Sequence, residues 1–513
     1  MAEEKKSRLF ALKPLIERWP AVTKPEGHVH FRTKLLWTVL CLILYFILTN
    51  VMIFGIQADV IDLFAQYRFI MAGASGSIMH LGIGPIVTAS IILQLFVGAK
   101  IINLDLTKKE DKAIYQGTQK ILVIVMIVVE AIPQIYGYMK PSEGLIGMAG
   151  EPGANVIIIL QLVIGALLVF FMDELISKWG IGSGISLFIA AGVSQAIFTG
   201  VFNWLPATAG EVISLSNPPA GAIPGASYLI SQMSLSDMVG WGYQTIFMGS
   251  TGFQNAIVPL LGTIAIFFIV VYAESSRIEL PLAHGRVRGA RGRYPIRLIY
   301  ASNIPVILMA ALLANVNMFA MMLYTNPGLR QIPFIGGQWW IGRYDLALTT
   351  QPLMGGAWYL SSPGGLNSWL VPILLGGYGG HAAWQYALKV IIYLSVMIIG
   401  SIFFAKFWIE TTNMGPTDVA KQIQSSGMQI PGFRRDPRVL RKVLERYIPV
   451  VTVIGGAAVG ALAGFADAIG TVGNASGTGV LLTVGIMIRM YEDIAKEQAM
   501  EMHPVLRGFF GNE

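Results

Sequence analysis

The sequence predicts an all-α integral membrane protein that crosses the bilayer ten times. Three observations lead to this prediction: the composition, the length of the apolar runs and the placement of the basic residues. Hydrophobic side chains make up 54% of the 513 residues and charged side chains only 13%, which is about half the charge of a typical soluble domain. Apolar runs of roughly 20 residues are long enough to cross hydrocarbon as helices. Backbone groups in lipid must be hydrogen bonded within their own segment, so each run is predicted to be a helix.

The apolar runs define ten candidate spans in chain order. The second and fifth spans contain Gly, Ser and Gln side chains, which are more favourable next to protein or water than next to lipid. The bundle is therefore expected to have a polar or hydrated centre. The spans are Leu36–Phe54, Ser77–Gly98, Ile114–Tyr138, Ala154–Met172, Ser183–Trp204, Ala256–Ala273, Leu298–Tyr324, Ala387–Ile409, Ile448–Ala466 and Gly477–Met490.

The basic residues fix an orientation for these spans. Lys and Arg are concentrated before span 1 and in the connections after spans 2, 6 and 8, whereas Leu205–Asn255 contains neither residue. The positive-inside rule then places both termini in the cytoplasm. Five spans precede the first long outside loop and five follow it, an arrangement that suits two inverted halves. The polar N-terminus lacks a signal-peptide pattern, so span 1 is expected to be retained.

Two long outside loops, Leu205–Asn255 and Thr325–Tyr386, are rich in Gly, Pro, Ser and aromatic residues. Two interpretations remain open for them. They are ordered external caps that pack through their tryptophans, or they are flexible surface loops. The tryptophans concerned are Trp339, Trp340, Trp358 and Trp384.

Signals for catalysis and for cofactor binding are absent from the sequence. There is no phosphate-binding loop motif, and the six histidines and the single cysteine, Cys41, lack metal-ligand spacing. The acidic pairs Asp173/Glu174 and Glu492/Asp493 fall at span ends, where solvated helix flanks are the simpler interpretation. We expect neither an enzyme nor a cofactor or metal.

Four segments carry a specific resemblance. Gln57–Gln94, Ser177–Phe198, Ser275–Val316 and Ser476–Glu492 together resemble the SecY family, pore-forming large subunits of the Sec translocon, in their archaeal and eukaryotic form. The similarity extends along nearly the whole chain and is weakest in the outside loops. It implies an hourglass pore between two pseudo-symmetric halves, spans 1–5 and 6–10. The implied function is to pass unfolded secretory polypeptides across the membrane and to release signal sequences and transmembrane segments sideways into lipid.

The resemblance implies a ring of aliphatic side chains at the narrowest point of the pore. Ile83/Val87 and Ile185/Ile189 are each spaced i, i+4, so each pair shares one helix face. An aliphatic ring blocks ions by dewetting. Each residue taken alone also fits ordinary helix packing. The ring residues are Ile83, Val87, Ile185, Ile189, Ile307 and Leu482.

A short amphipathic segment at about Ala58–Met71 precedes the hinge Gly73–Ser77. By resemblance it is the plug helix that fills the external funnel of the idle channel. The alternative is an ordinary interfacial helix. The plug residues are Ala58, Asp59, Val60, Ile61, Asp62, Leu63, Phe64, Ala65, Gln66 and Tyr67.

The family opens laterally between spans 2/3 and spans 7/8, and the resemblance places a polar gate cluster at Thr88, Glu130 and Asn315. Glu130 lies within an apolar run, where an ionisable group is costly unless it faces protein or water. Hydrogen bonds among the three residues would favour the closed gate. A neutral Glu130 that makes one structural hydrogen bond is the alternative interpretation.

The basic connections match the cytoplasmic projections with which the family docks the ribosome, and the expected contacts are Arg286, Arg288, Arg434 and Arg435. Positive-inside topology alone also explains much of this charge.

Expected partners are the small subunits SecE and Sec-beta, the ribosome, the signal recognition pathway, nascent polypeptides and the lipid bilayer, at the cytoplasmic membrane. The expected division of the chain is an N-terminal segment (1–35), a first half (36–204), an external loop (205–255), a second half (256–490) with loops 277–297, 325–386 and 410–446, and a cytoplasmic tail (491–513).

A secondary transporter for a small solute is the alternative function. Ten spans, broken helices and Glu130 at mid-membrane are all compatible with it. The constriction distinguishes the two, since a transporter needs a polar substrate site where the channel has an aliphatic collar.

Overall fold

The computed structural model places a helix at each of the ten predicted spans. It describes residues 8–27, 29–57, 72–98, 101–102, 104, 108–137, 139–208, 211–249, 255–284, 291–297, 303–325, 327–331, 338–344, 352–412, 414–425, 428–429 and 437–502. The helices of spans 1 to 10 are Phe31–Asn50, Gly84–Gly98, Lys109–Gly137, Glu143–Trp179, Gly184–Phe202, Ile257–Ser275, Ile304–Thr325, Ala383–Thr411, Pro437–Ile469 and Gly477–Met502. Eight of these are long and apolar enough to cross a membrane by themselves; the helix of span 2 is shorter, and that of span 10 continues into a charged segment.

Several predicted span boundaries differ from the helix ends, and two of the differences occur near a glycine with a positive φ. Span 2 was predicted from Ser77, but its helix begins at Gly84, after a run of turns in which Gly82 has a φ of +52°. This left-handed conformation suits glycine and interrupts the helix. Span 4 was predicted from Ala154, but its helix begins at Glu143 and is kinked where Gly150 has a φ of +70°.

Spans 8 and 9 pack closely through three glycines spaced four residues apart, Gly456, Gly460 and Gly464. A Cβ atom on Gly460 would lie 2.6 Å from the carbonyl oxygen of Met397 in span 8. Small residues at this spacing let two helix backbones approach. The pair therefore forms one rigid unit of the second half.

An aspartate at the end of one span caps the next span in each half. Asp173 in span 4 accepts a hydrogen bond from the backbone N–H of Ile185 at 2.8 Å, near the start of span 5. Asp467 in span 9 accepts one from the N–H of Thr478 at 3.1 Å, near the start of span 10. A carboxylate satisfies otherwise unbonded N–H groups at a helix start. Spans 4–5 and 9–10 thus repeat one local arrangement, as expected for two inverted halves.

On the predicted cytoplasmic side, the helices Arg8–Leu12 and Lys13–Arg18 lie against span 3. The connection after span 6 forms a β-hairpin, β1 (Arg277–His284) and β2 (Arg291–Arg297), which the sequence analysis did not predict. The two-residue strand β3 (Met428–Gln429) adds to the end of β1, after the helix Pro416–Ser425. Arg297 pairs with Glu492 of span 10 at 2.5 Å and so ties the hairpin to that helix.

The two outside loops contain ordered structure. The first has helices at Ala222–Gln232 and across Leu235–Asp237, Met238–Gly242 and Tyr243–Met248, the middle segment being π-helical. The second has helices Pro327–Arg330, Gly356–Leu360 and Leu366–Leu374 and the two-residue strands Gly377–Tyr378 and His381–Ala382. Trp358 is buried, and its ring stacks on that of His381 with the ring centroids 4.0 Å apart. The side chains of Trp339, Trp340 and Trp384 are exposed. Of the two interpretations left open by the sequence, the described parts of the loops agree with ordered caps, although only one of the four tryptophans is buried.

Candidate pore and lateral gate

The six residues predicted to form the ring come from spans 2, 5, 7 and 10, and all lie in the main hydrophobic cluster, which also includes side chains of the other six spans. Ile83, Val87, Ile189, Ile307 and Leu482 are buried members of that cluster, and Ile185 is partly buried against it. These side chains present only hydrocarbon, which forms few directed bonds. Such a cluster can exclude ions and can still yield around another chain.

Local structure at the start of span 2 keeps Ile83 and Val87 on one face. Ile83 lies immediately before the helix, and its carbonyl accepts hydrogen bonds from the N–H groups of Ile86 at 3.0 Å and Val87 at 3.1 Å. The second bond is the first i→i+4 bond of the helix. Ile83 and Val87 are therefore one turn apart, as the spacing predicted, although Ile83 lies outside the helix itself.

The aspartate caps place Ile189 and Leu482 in equivalent positions. Ile189 lies four residues after Ile185, whose N–H bonds to Asp173. Leu482 lies four residues after Thr478, whose N–H bonds to Asp467. Each half therefore carries a buried aliphatic side chain one helical turn beyond its cap.

Sequence reasoning missed Asp467, which lies one residue beyond the predicted end of span 9. Its carboxylate also accepts hydrogen bonds from the hydroxyl groups of Thr478 at 2.7 Å and Tyr393 at 2.8 Å. An acidic residue in an apolar run, 10 residues before the helix start at Gly477, was the available signal. Asp173 was interpreted as a solvated flank, but it is half-buried and bonded to span 5.

The plug residues predicted at 58–67, from Ala58 to Tyr67, lie outside the described residues. The chain on either side of them is held together: the N–H of Ile53 donates to the carbonyl of Gly76 at 2.9 Å, and the N–H of Ile78 donates to Val51 at 2.8 Å. Within the predicted hinge, the N–H of Gly76 also donates to His80 Nδ1 at 3.0 Å. The two ends of the segment therefore meet beside the start of span 2.

The helices on both sides of the predicted lateral opening are in contact. Span 2 packs against spans 7 and 8, and span 3 packs against span 7. A Cβ atom on Gly98 of span 2 would lie 2.0 Å from the ring of Phe407 in span 8, which shows how closely these helices approach. The structure thus has its two halves closed against each other along this seam.

The three predicted gate residues meet at this seam. The side-chain amide of Asn315 in span 7 donates to the hydroxyl of Thr88 in span 2 at 3.1 Å. The buried side chain of Glu130 in span 3 lies beside the same hydroxyl group. Among the described residues, Glu130 Oε1 has no hydrogen-bond partner. Thr88 is therefore the centre of a polar contact that joins three helices from both halves.

The four arginines expected to bind the ribosome, Arg286, Arg288, Arg434 and Arg435, lie outside the described residues. Strands β1 and β2 flank the first pair, and β3 precedes the second pair. Because β3 pairs with β1, the two basic connections adjoin each other. Positive charge from both is thus carried on neighbouring backbone.

Comparisons with known proteins agree with this geometry. The SecY family model matches residues 77–491, and the model for the plug domain of Sec61p matches residues 43–76. The chain is 48% identical to the protein translocase subunit SecY of Archaeoglobus fulgidus over 99% of both chains.

Two solved structures are similar over nearly their whole length. One, described as the structure of a protein conducting channel, has a TM-score of 0.74 and 38% identity, with 96% of this chain and 98% of the other covered. The other is Sec61 in the canine ribosome-channel complex from the endoplasmic reticulum, with a TM-score of 0.72, 38% identity and the same coverage. The predicted ten-helix channel fold is confirmed, and the chain is a channel subunit rather than an enzyme. This multi-pass membrane protein belongs to the SecY family of protein-translocation channels.

Proposed function

We propose that the chain passes unfolded polypeptides through the aliphatic cluster formed by Ile83, Val87, Ile185, Ile189, Ile307 and Leu482. The observation that carries this proposal is that Ile189 and Leu482, one in each half, are buried at equivalent positions one helical turn beyond an aspartate cap. A polypeptide backbone needs a surface that binds none of its groups tightly, and aliphatic side chains meet that need. A small-solute transporter, the alternative function, needs polar groups at this depth.

Photo-crosslinking tests this assignment. A photoreactive residue at Val87, Ile189 or Leu482 should crosslink to a secretory polypeptide stalled in the channel. Ile158 of span 4 is a matched control, because it is also fully buried in the same cluster but is not in the ring. Equal crosslinking at Ile158 and the ring positions, or none at the ring during active translocation, would show that the ring is elsewhere.

The seam between spans 2/3 and 7/8 is the proposed exit for signal sequences and transmembrane segments. The support is the polar contact of Thr88, Glu130 and Asn315, which joins the two halves through only a few hydrogen bonds. An apolar signal helix that entered the seam would separate these groups and pack against the flanking helices. The segment 58–67 is the proposed plug, and the match of residues 43–76 to a plug-domain family supports it.

Ribosome binding is proposed for the adjoining basic connections, with Arg286, Arg288, Arg434 and Arg435 as contacts to phosphate. The resemblance to Sec61 in a ribosome-channel complex supports this. Both termini and these loops then lie in the cytoplasm, with the chain in the cell membrane beside SecE-like and Sec-beta-like subunits. Co-purification with ribosomes that is lost in a variant with all four arginines replaced by Gln, and retained with Arg441→Gln, would test it.

A further inference from the structure

An apolar stripe lies on the outer surface of the first outside loop. Residues 235–248 form a continuous helix, here called the loop helix, with a π-helical stretch at Met238–Gly242. Leu235, Val239, Tyr243 and Phe247 recur every four residues along it and are 84%, 77%, 56% and 50% exposed. A π-helical turn has more residues than an α-helical turn, so side chains four apart stay aligned. These four residues are called the stripe.

The loop helix has two further faces. Met238 and Ile246 pack into a small cluster with Leu229, Ala256 and Ile257, which joins the loop helix to the start of span 6. Ser236 and Gln244 are exposed and polar. The loop helix therefore presents one face to the protein, one polar face and one exposed apolar face.

The base of the loop is fixed to the membrane domain. Asn255 donates to the carbonyl of Ala220 at 2.7 Å and accepts from the N–H of Gly473, before span 10, at 2.7 Å. Together with the contacts to Ile257, these hydrogen bonds hold the loop helix beside the first residues of span 6. We expect this to be the level at which span 6 leaves the hydrocarbon.

The loop helix packs against the start of span 6, whose exposed apolar face is expected to contact lipid. Span 6 exposes Leu261, Ile264 and Phe268 along its length, and in a transmembrane helix such a face contacts lipid tails. The whole Leu205–Asn255 loop contains no Lys or Arg, so it has no cationic side chain for an acidic partner. Large exposed apolar patches mark interaction surfaces, and an amphipathic helix at this level lies in the membrane interface.

We propose that the loop helix is an interfacial membrane anchor, with the stripe inserted into the adjacent lipid leaflet. Leu235, Val239 and Phe247 would contact acyl chains, and Tyr243 would place its ring at the level of the headgroups. Gln244 and Ser236 would remain in water. The anchor would hold the connection between the two halves at a fixed depth. This proposal rests on the membrane topology alone and does not require that polypeptides pass through the pore.

Site-directed spin labelling tests this proposal with the full chain reconstituted in liposomes. A Cys41→Ala background leaves one introduced cysteine for labelling, at Val239 or Tyr243 for the stripe and at Gln244 for the matched polar control on the same helix. Labels on the stripe should be accessible to lipid-soluble oxygen, protected from a water-soluble nickel complex, and about 5–10 Å below the phosphates. The label at Gln244 should show the reverse.

Two outcomes would overturn the proposal. Equal accessibility of the stripe and Gln244 labels to the nickel complex would place the stripe in water. Protection of the stripe labels from both reagents would mean that protein covers it, as a small subunit or a second copy would. If the Val239→Cys variant fails to elute as a folded protein in detergent, Phe247→Cys reports on the same stripe about two turns further along the helix, beyond the π-to-α junction.

Discussion

The hydrogen bond between Thr88 and Asn315 gives a specific prediction for the lateral gate. Thr88→Val keeps the shape of the side chain and removes the hydroxyl that accepts from Asn315 at 3.1 Å. Hydrogen bonds between membrane helices contribute about 0.6 kcal/mol on average and up to about 1.7 kcal/mol. Because about 1.4 kcal/mol corresponds to a tenfold change, losing this bond should favour the open gate by roughly 3- to 20-fold.

Export of reporters with strong and weak signal sequences measures this shift. A strong signal already opens the gate, so Thr88→Val should leave its export unchanged. A weak signal is limited by opening, so its export should rise toward the 3- to 20-fold range given above. Thr452→Val in span 9 is the matched control. The hydroxyl of Thr88 donates to the carbonyl of Gly84, four residues before it, at 3.0 Å, and Thr452 donates in the same way to Ile448 at 2.6 Å but is buried away from the seam.

A double-mutant cycle separates the hydrogen bond from other effects of the substitution. Asn315→Ala removes the donor, so Thr88→Val should raise weak-signal export less in that background than it does in the wild-type chain. Additive effects of the two substitutions would refute the reasoning. So would an equal effect of Thr88→Val and Thr452→Val, because the latter touches no gate contact.

Three further predictions concern other contacts. Glu130→Gln should alter the discrimination between strong and weak signals more than the abundance of the protein; unchanged export of both would remove Glu130 from the gate. Asp467→Ala leaves the hydroxyl groups of Thr478 and Tyr393 and one backbone N–H without their acceptor, at about 1–3 kcal/mol for each unsatisfied group. A clearly lower melting temperature in detergent should follow, and a wild-type value would contradict the cap. Gly460→Ile should push spans 8 and 9 apart at a cost of about 1–3 kcal/mol and lower the melting temperature, whereas the partly buried neighbour Ala458→Ile should change it less.

Hydropathy predicted the spans because lipid imposes helices on long apolar runs. The same argument failed at 77–83, since this stretch is buried and apolar without being helical. A buried turn and a buried helix have the same composition, and only the left-handed Gly82 separates them. The helix of span 4 begins before the predicted start at Ala154. This first part was not predicted, because its Gly and Pro residues are typical of a loop.

The β-hairpin was missed because each strand contains a proline, Pro281 in β1 and Pro295 in β2. Proline lacks the N–H that a ladder needs, so it usually argues against a strand. Here β3 pairs with β1 only at Ala283 and His284, which leaves the proline of β1 away from that pairing. A local sequence pattern does not show that two distant segments of the chain pair as strands.

At the candidate site, spacing predicted that Ile83 and Val87 share a face, and family resemblance brought Thr88, Glu130 and Asn315 together. Asp467 could not be assigned in the same way. Its partners Tyr393 and Thr478 come from spans 8 and 10, and only the folded chain shows that they meet.

The two aspartate caps have a consequence for the thickness of the barrier. In the proposed inverted arrangement, the capped ends of spans 5 and 10 point to opposite sides of the membrane, and each lies four residues, about 6 Å, from its aliphatic side chain. If the proposed ring holds Ile189 and Leu482 at one depth, the dry layer between the two helix starts would be about 12 Å deep, less than half of the roughly 30 Å of hydrocarbon around the protein. An extended polypeptide would have only about four residues in that layer at any moment. Even a strongly charged stretch would therefore be removed from water a few side chains at a time.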